Sequence, residues 1–296
     1  MRAGILDGSE GWKGSGRKEV TVSMRTVCQV CMHHCGLENG QRGLCGAREN
    51  VDGAVVCANY GQAASLALDP IEKKPLKMFR PGRLVLSVGS YGCNLRCPFC
   101  QNYEISMDRN VETVFVSPDD LAGKARECRR VGNAGVAFTY NEPLVGWEYV
   151  RDTARLVKEY GMDNVLVTNG TAEIWVLEEL LPFIDAMNID LKGFTQEYYR
   201  KVGGDLETVK AFIARAARDC HVELTTLIVP GENDRPEEME EEAKWIASLD
   251  KEIPLHVTRF FPRYRMTDRA ATDVRQVHEL AKVAGKYLNH VFAGNC

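Results

Sequence analysis

Apolar and polar positions change rhythm at residue 83. From there, short β-branched runs alternate with stretches of helical period. The runs 83–90 (RLVLSVGS), 135–140 (GVAFTY), 164–170 (NVLVTNG), 186–193 (AMNIDLKG), 221–230 (HVELTTLIVP), 254–261 (PLHVTRFF) and 289–294 (NHVFAG) predict strands. Their near-continuous apolar character suits strands covered on both faces. Helices are predicted between them at SPDDLAGKARECRRVG, WEYVRDTARLVKEYG, IWVLEELL, LETVKAFIARAARD, PEEMEEEAKWIASL and DVRQVHELAKVAG. Ser117, Pro118 and Asp119 start the first and Gly161 stops the second. Repeated β-then-α units predict a parallel sheet with right-handed crossovers. The expected fold class is α/β, a partial (β/α)6-type barrel over residues 83–296.

Barrels of this kind gather reactive residues at the C-terminal ends of their strands. The polar segments obey that rule. A cysteine loop follows the first strand, and TYNEP (139–143), TNG (168–170), DLK (190–192), PGEND (230–234) and RFFPRY (259–264) end or follow the next five.

Upstream the pattern is different. Residues 1–23 are Gly- and Ser-rich without periodicity, so a disordered or non-native leader is expected. Arg17-Lys18-Glu19-Val20 reads like a translated ribosome-binding sequence, which predicts a natural start at Met24. Residues 24–68 form a small cysteine-rich module, and 69–82, with two prolines in DPIEKKP, a stiff connector to the barrel.

A chain of 296 residues with 45% hydrophobic and 26% charged residues is of soluble, globular type. Its net charge of −4 argues against a protein built to neutralise nucleic-acid phosphates. No apolar run reaches the roughly 18 residues of a membrane span, and no signal-peptide pattern opens the chain, so a cytoplasmic protein is expected. Seven of the eleven cysteines lie in two tight clusters, which in a reducing compartment points to metal ligation.

The second cluster, GCNLRCPFCQN, places Cys93, Cys97 and Cys100 within eight positions. Iron–sulfur cubes are normally held by four cysteines. Here the chain continues QNYEISMDRN, so three thiolates would leave one iron without a protein ligand, as a catalytic metal centre needs. The rival reading is zinc or an ordinary cluster completed from elsewhere.

The spacing C-x3-C-x2-C with Phe99 between the last two cysteines resembles the radical S-adenosylmethionine superfamily. The ordered set YGCNLRCPFCQN, GVAFTYNEP, LVTNG, NIDLKGF, TTLIVPGEND and RFFPRY resembles the pyruvate formate-lyase activating enzyme group. With DPIEKKPLKMFRPG and the N-terminal cysteines, the chain looks most like the radical member of the AmmeMemoRadiSam trio. The resemblance implies a radical S-adenosylmethionine barrel. It implies a [4Fe–4S] cluster on Cys93, Cys97 and Cys100, with S-adenosylmethionine chelating the open iron. Reductive cleavage then gives a 5′-deoxyadenosyl radical, which abstracts hydrogen from a substrate. No residue beyond the cluster-bound cofactor is expected to be catalytic.

The resemblance also implies that Phe99 lies beside the adenine and that Asn141 and Glu142 stand where activators carry Gly-Gly-Glu. Thr168, Asn169, Asp190 and Lys192 match segments lining the ribose and the methionine carboxylate. Activators commonly read Asp-Thr-Asn-Gly where this chain has Val167, and Asn188 follows, so the monovalent cation they can hold there is not expected. Implied partners are a flavodoxin- or ferredoxin-type reductant, and a glycyl radical enzyme or the other two trio proteins. No membrane or nucleic-acid partner is expected. Hydrogen abstraction from an unidentified substrate is the first reading, and activation of a protein glycine is the alternative.

The first cluster, CQVCMHHCGLENGQRGLCG, supplies Cys28, Cys31, Cys35 and Cys45. Four thiolates close a site, so structural zinc is the first reading and a second iron–sulfur cluster the rival. Arg259, Arg263, Arg265 and Arg269 gather after the sixth strand and suit a substrate anion or a solvated loop equally. Cys296, a terminal thiol near a strand end, is carried as a candidate for methyl or sulfur transfer.

Overall fold

The structure is a computed structural model that describes residues 25–108 and 110–296, so the leader expected at 1–23 lies outside the described residues. The cysteine-rich module consists of short antiparallel pieces. Strand β1 (Thr26–Val27) pairs with β2 (Gly36–Leu37), and β3 (Arg48–Val51) with β4 (Ala54–Cys57). The second hairpin turns at Asp52-Gly53, both with positive φ (51° and 89°). An Asp-Gly pair favours that turn, because glycine takes left-handed backbone without a Cβ clash. Strand β5 (Gln62–Ala63) leads into β6 (Ser65–Pro70).

The main sheet has eight strands, and its two edges are β6 and β14. Seven strands are parallel: β7 (Leu84–Gly89), β9 (Asn133–Phe138), β10 (Asp163–Thr168), β11 (Ala186–Asp190), β12 (His221–Ile228), β13 (Leu255–Arg259) and β14 (Val291–Gly294). These correspond to the seven predicted runs. Strand β6 lies antiparallel on β7, with Asp69 opposite Val85, so the chain enters the sheet before the expected connector is over. The short β8 (Val114–Phe115) pairs with β5 outside this sheet.

Eight helices are described: α1 (Tyr103–Ser106), α2 (Pro118–Glu127), α3 (Trp147–Glu159), α4 (Ile174–Leu180), α5 (Gln196–Lys201), α6 (Leu206–Ala216), α7 (Pro236–Leu249) and α8 (Val274–Ala284). As its sequence predicts, the first long one (α2) starts at Ser117, whose side chain accepts from the Asp120 N–H. It gives way at Cys128 to a tighter turn that ends at Gly132. The short α5 has no apolar periodicity and was not anticipated, although Thr195 caps it by accepting from the Tyr198 N–H.

The two faces of the sheet are covered by different things. Leu86, Val136, Phe138, Leu166 and Met187 belong to the core that the helices cover. Val85, Ala137, Val165 and Ala186 alternate with them and pack on Ile71 and Leu76. Residues 71–79, within the expected stiff connector, are therefore a plug on the inner face. Glu223, fully buried, holds the plug by accepting from the N–H groups of Lys77, Met78 and Phe79 at 2.9, 2.8 and 3.2 Å. His221 and His256 also hydrogen-bond this carboxylate, at 2.9 and 2.7 Å. Burial alone would raise its pKa, but these partners hold it well below the usual carboxylate range.

Candidate active site

Because the seven strands run parallel, their C-terminal ends share one rim, and the predicted polar segments meet there. The cysteine loop leaves β7 at Gly89 and is fastened from beneath by Asn141. That side chain donates to the carbonyls of Tyr91 and Gly92 at 3.1 and 3.0 Å and accepts from the Ser90 N–H at 3.0 Å. Asn141 thus positions the loop.

Cys93, Cys97 and Cys100 are close enough to feel one another's charge, and burial pushes all three thiols up, Cys97 to about 11. Thiols so placed remain protonated at neutral pH unless a cationic centre takes the proton's place. Soft, converging, desolvated sulfur donors suit an iron–sulfur cluster. Lys192 stands beside Cys97 and Cys100 and lowers both. Its ammonium pairs with Asp190 at 2.6 Å. Burial acts to lower the Lys192 pKa, but the Asp190 carboxylate raises it on balance, which keeps the ammonium charged.

Glu142 is buried and joins two strand ends. One carboxylate oxygen accepts from the Leu144 N–H at 3.0 Å and the Thr168 hydroxyl at 2.7 Å, and the other from the Asn169 N–H at 2.8 Å. Burial nevertheless raises it to about 7. Asn169 carries the chain of contacts onward, its amide lying 3.7 Å from the Cys93 sulfur and 2.9 Å from the Asn94 side-chain oxygen. Cys93, Glu142, Thr168 and Asn169 therefore form one connected unit. Phe99 is buried and meets Phe260 edge-on at 6.4 Å.

Val167 and Asn188, opposite each other on β10 and β11, both face the plug. Val167 packs against its core, while Asn188 donates to the Pro75 carbonyl at 2.8 Å and accepts from Thr225 at 3.0 Å. The arginines divide. Arg269 is engaged by Asp268, Glu232 and the Pro230 carbonyl, and Arg259 by the Thr272 carbonyl. Arg265 lies over Tyr264, which stacks on Tyr103 at 4.7 Å. Cys296 is exposed beyond β14.

Two contributors escaped the reading of the sequence. Asn94, inside the cysteine loop, is 1% exposed and bonded on both sides. Lys74, 2% exposed, pairs with Asp69 at 2.8 Å and lies 4.5 Å over the Tyr140 ring. The Tyr140 hydroxyl donates to Asp69 at 2.6 Å. Tyr140 itself has a φ of 73°, a conformation that non-glycine residues adopt only under constraint. Gly89 makes room for it, since a Cβ there would meet the Tyr140 ring at 2.9 Å. The only signal in the sequence was two lysines in a Pro-flanked segment.

Comparison with known proteins agrees with this geometry. The family model described as Radical SAM superfamily matches residues 87–246. An uncharacterised protein of Methanocaldococcus jannaschii is 38% identical over 274 residues, covering 90% of this chain and 80% of that one. A putative glycyl-radical enzyme activating enzyme of the same organism is 29% identical, with 68% and 85% covered. The pyruvate formate-lyase 1-activating enzyme of Escherichia coli K12 is 29% identical over 150 residues, 48% of this chain and 60% of that one. Among solved structures, Streptococcus suis SuiB bound to S-adenosylmethionine superposes with a TM-score of 0.56 at 14% identity, covering 70% of this chain and 48% of that one. That likeness concerns the fold. No described helix is long and apolar enough to cross a membrane.

Proposed function

From the premise that the chain belongs to the radical SAM superfamily, whose members use a [4Fe–4S] cluster and S-adenosylmethionine, we propose that it is a hydrogen-abstracting enzyme. The group supplies a reductively formed 5′-deoxyadenosyl radical, and the protein supplies orientation and exclusion of side reactions. Cys93, Cys97 and Cys100 hold the cluster. Lys192, kept charged by Asp190, offers a cation to the methionine carboxylate. Glu142 fixes the ends of β9 and β10 against each other and, having spare lone pairs, can accept from the methionine amino group. Phe99 would flank the adenine. A flavodoxin- or ferredoxin-type protein is the proposed electron donor.

The observation that carries this reading is the direct tie from the Cys93 sulfur through Asn169 to Glu142. A passive electron carrier needs no such cofactor pocket beside its thiols. The test is anaerobic: reconstituted protein with reductant should release 5′-deoxyadenosine from S-adenosylmethionine. Equal release by a Cys97→Ala variant would overturn the assignment.

The substrate is proposed to be other than a protein glycine. Val167 and Asn188 are committed to holding the plug, whereas activators commonly place a carboxylate at the first of these positions. Activation of a glycyl radical enzyme is the second reading, favoured by the likeness to a putative activating enzyme. A glycine-centred radical on a co-purified partner after turnover would establish it. Turnover only with the other AmmeMemoRadiSam proteins present would support the first.

A further inference from the structure

We propose that Cys28, Cys31, Cys35 and Cys45 form a second iron–sulfur site, all-sulfur in its ligands and joined to the rim site through Asn94. The β1–β2 hairpin brings the first three together, with the Cys28 N–H donating to the Cys35 carbonyl at 3.0 Å. Between Cys31 and Cys35 the chain turns at His34, whose φ is 41°. The following loop passes against the third sulfur, since a Cβ on Gly43 would lie 3.7 Å from the Cys35 sulfur. Gly46, with a φ of 75°, then turns the chain just after Cys45. Cys28, Cys31 and Cys45 are 5, 8 and 8% exposed, and Cys35 is partly buried. Cys45 feels the charge of Cys28 and Cys35, and Cys31 that of Cys45 and Cys28. None of the four is in a disulfide.

The two histidines of the motif are used elsewhere. His33 bonds the Asn94 carbonyl at 2.8 Å, and His34 pairs with Glu173 at 3.0 Å. The ligand set is therefore four thiols. Two occupants suit four thiols: one tetrahedral ion or a polynuclear cluster. Zinc has no redox chemistry, whereas a cluster does, and the four thiols are packed against the loop of the rim site, so a cluster is the occupant their placement favours.

The two thiol loops touch. Gly92 has a φ of 92°, and a Cβ on it would lie 2.6 Å from the Cys45 carbonyl oxygen. Arg96 donates to the Cys93 carbonyl at 2.7 Å and also to the Leu44 carbonyl, just before Cys45. The Asn94 carbonyl bonds His33 of the first cysteine motif, the Asn94 side-chain oxygen accepts from Asn169, and Asn169 reaches Cys93. A cluster so placed supplies one-electron storage beside the reaction centre.

The experiment uses the full chain, prepared anoxically and reconstituted with iron and sulfide. A Cys93→Ala/Cys97→Ala/Cys100→Ala variant should retain about four iron and about four sulfide per chain and give a paramagnetic signal on reduction. Zinc in their place, or a folded chain without metal, would overturn the proposal. Adding Cys28→Ala and Cys31→Ala should remove the iron. If that variant does not fold, the unsubstituted chain decides, since about eight iron support a second cluster and about four exclude it. In the fully reduced chain the two signals should broaden each other, and a plain sum of two independent signals would refute the contact between the sites.

Discussion

The two thiol sets lie side by side and are built in opposite ways. The N-terminal set sits on a hairpin and a glycine-turned loop and supplies four sulfurs. The rim set hangs from the end of β7, supplies three sulfurs, and is surrounded by Glu142, Asn169 and Lys192. Sequence spacing distinguishes the sets by the count of cysteines and by the C-x3-C-x2-C pattern of the rim set. What distinguishes them chemically is the company each keeps: backbone and histidines turned away in one, ionisable and amide side chains from three strand ends in the other.

The comparison breaks most visibly at Cys97. Cys97→Ala should reduce 5′-deoxyadenosine release to background while the iron of the N-terminal set persists, so cofactor cleavage and iron content should separate. Loss of both would show the sets to be one site.

Next in size is the docking of the module. Arg48, 4% exposed, forms a two-oxygen pair with Glu148 at 2.7 Å across the module and the barrel. Arg48→Met strands a partly buried carboxylate and should cost about 3 kcal/mol of unfolding free energy, measured by denaturant titration. A neutral effect would mean that the thiol loops alone hold the module in place.

Lys192→Met removes the charged partner from the open set and should weaken S-adenosylmethionine binding about 10-fold, read by equilibrium dialysis on the loaded protein. The N-terminal set should be indifferent to it.

The smallest effect is a control in the barrel wall, away from both sets. Glu242 on α7 is buried and accepts from the Thr226 hydroxyl. Burial raises it from 4.5 to about 8. In that window the folded chain binds more protons than the unfolded one, so stability falls as pH rises through it. Glu242→Gln should flatten the decline in melting temperature between about pH 5 and about pH 8. A variant with the parent's slope would show that the side chain is hydrated in solution.

Much of this was legible in the sequence because it is local. Period and β-branching mark seven strands, and cysteine spacing marks two sulfur sites before any contact is known. The rim assignment followed as well, since parallel strands leave their C-terminal ends on one side. What only the tertiary structure decided depends on residues far apart in the chain. Lys74, read as part of a connector, is enclosed because residues 71–79 fold against the inner face of the sheet and are held by Glu223. Asn141, aligned with a glycine of the activators, fastens the cysteine loop, and Asn94 bridges from His33 of the first cysteine motif to Asn169 beside Cys93. Local pattern reports which face a residue prefers. Which partner its polar atoms find is set by contacts across the fold, and a hydrogen bond between the loops that follow β7 and β10 leaves no periodic trace in either strand.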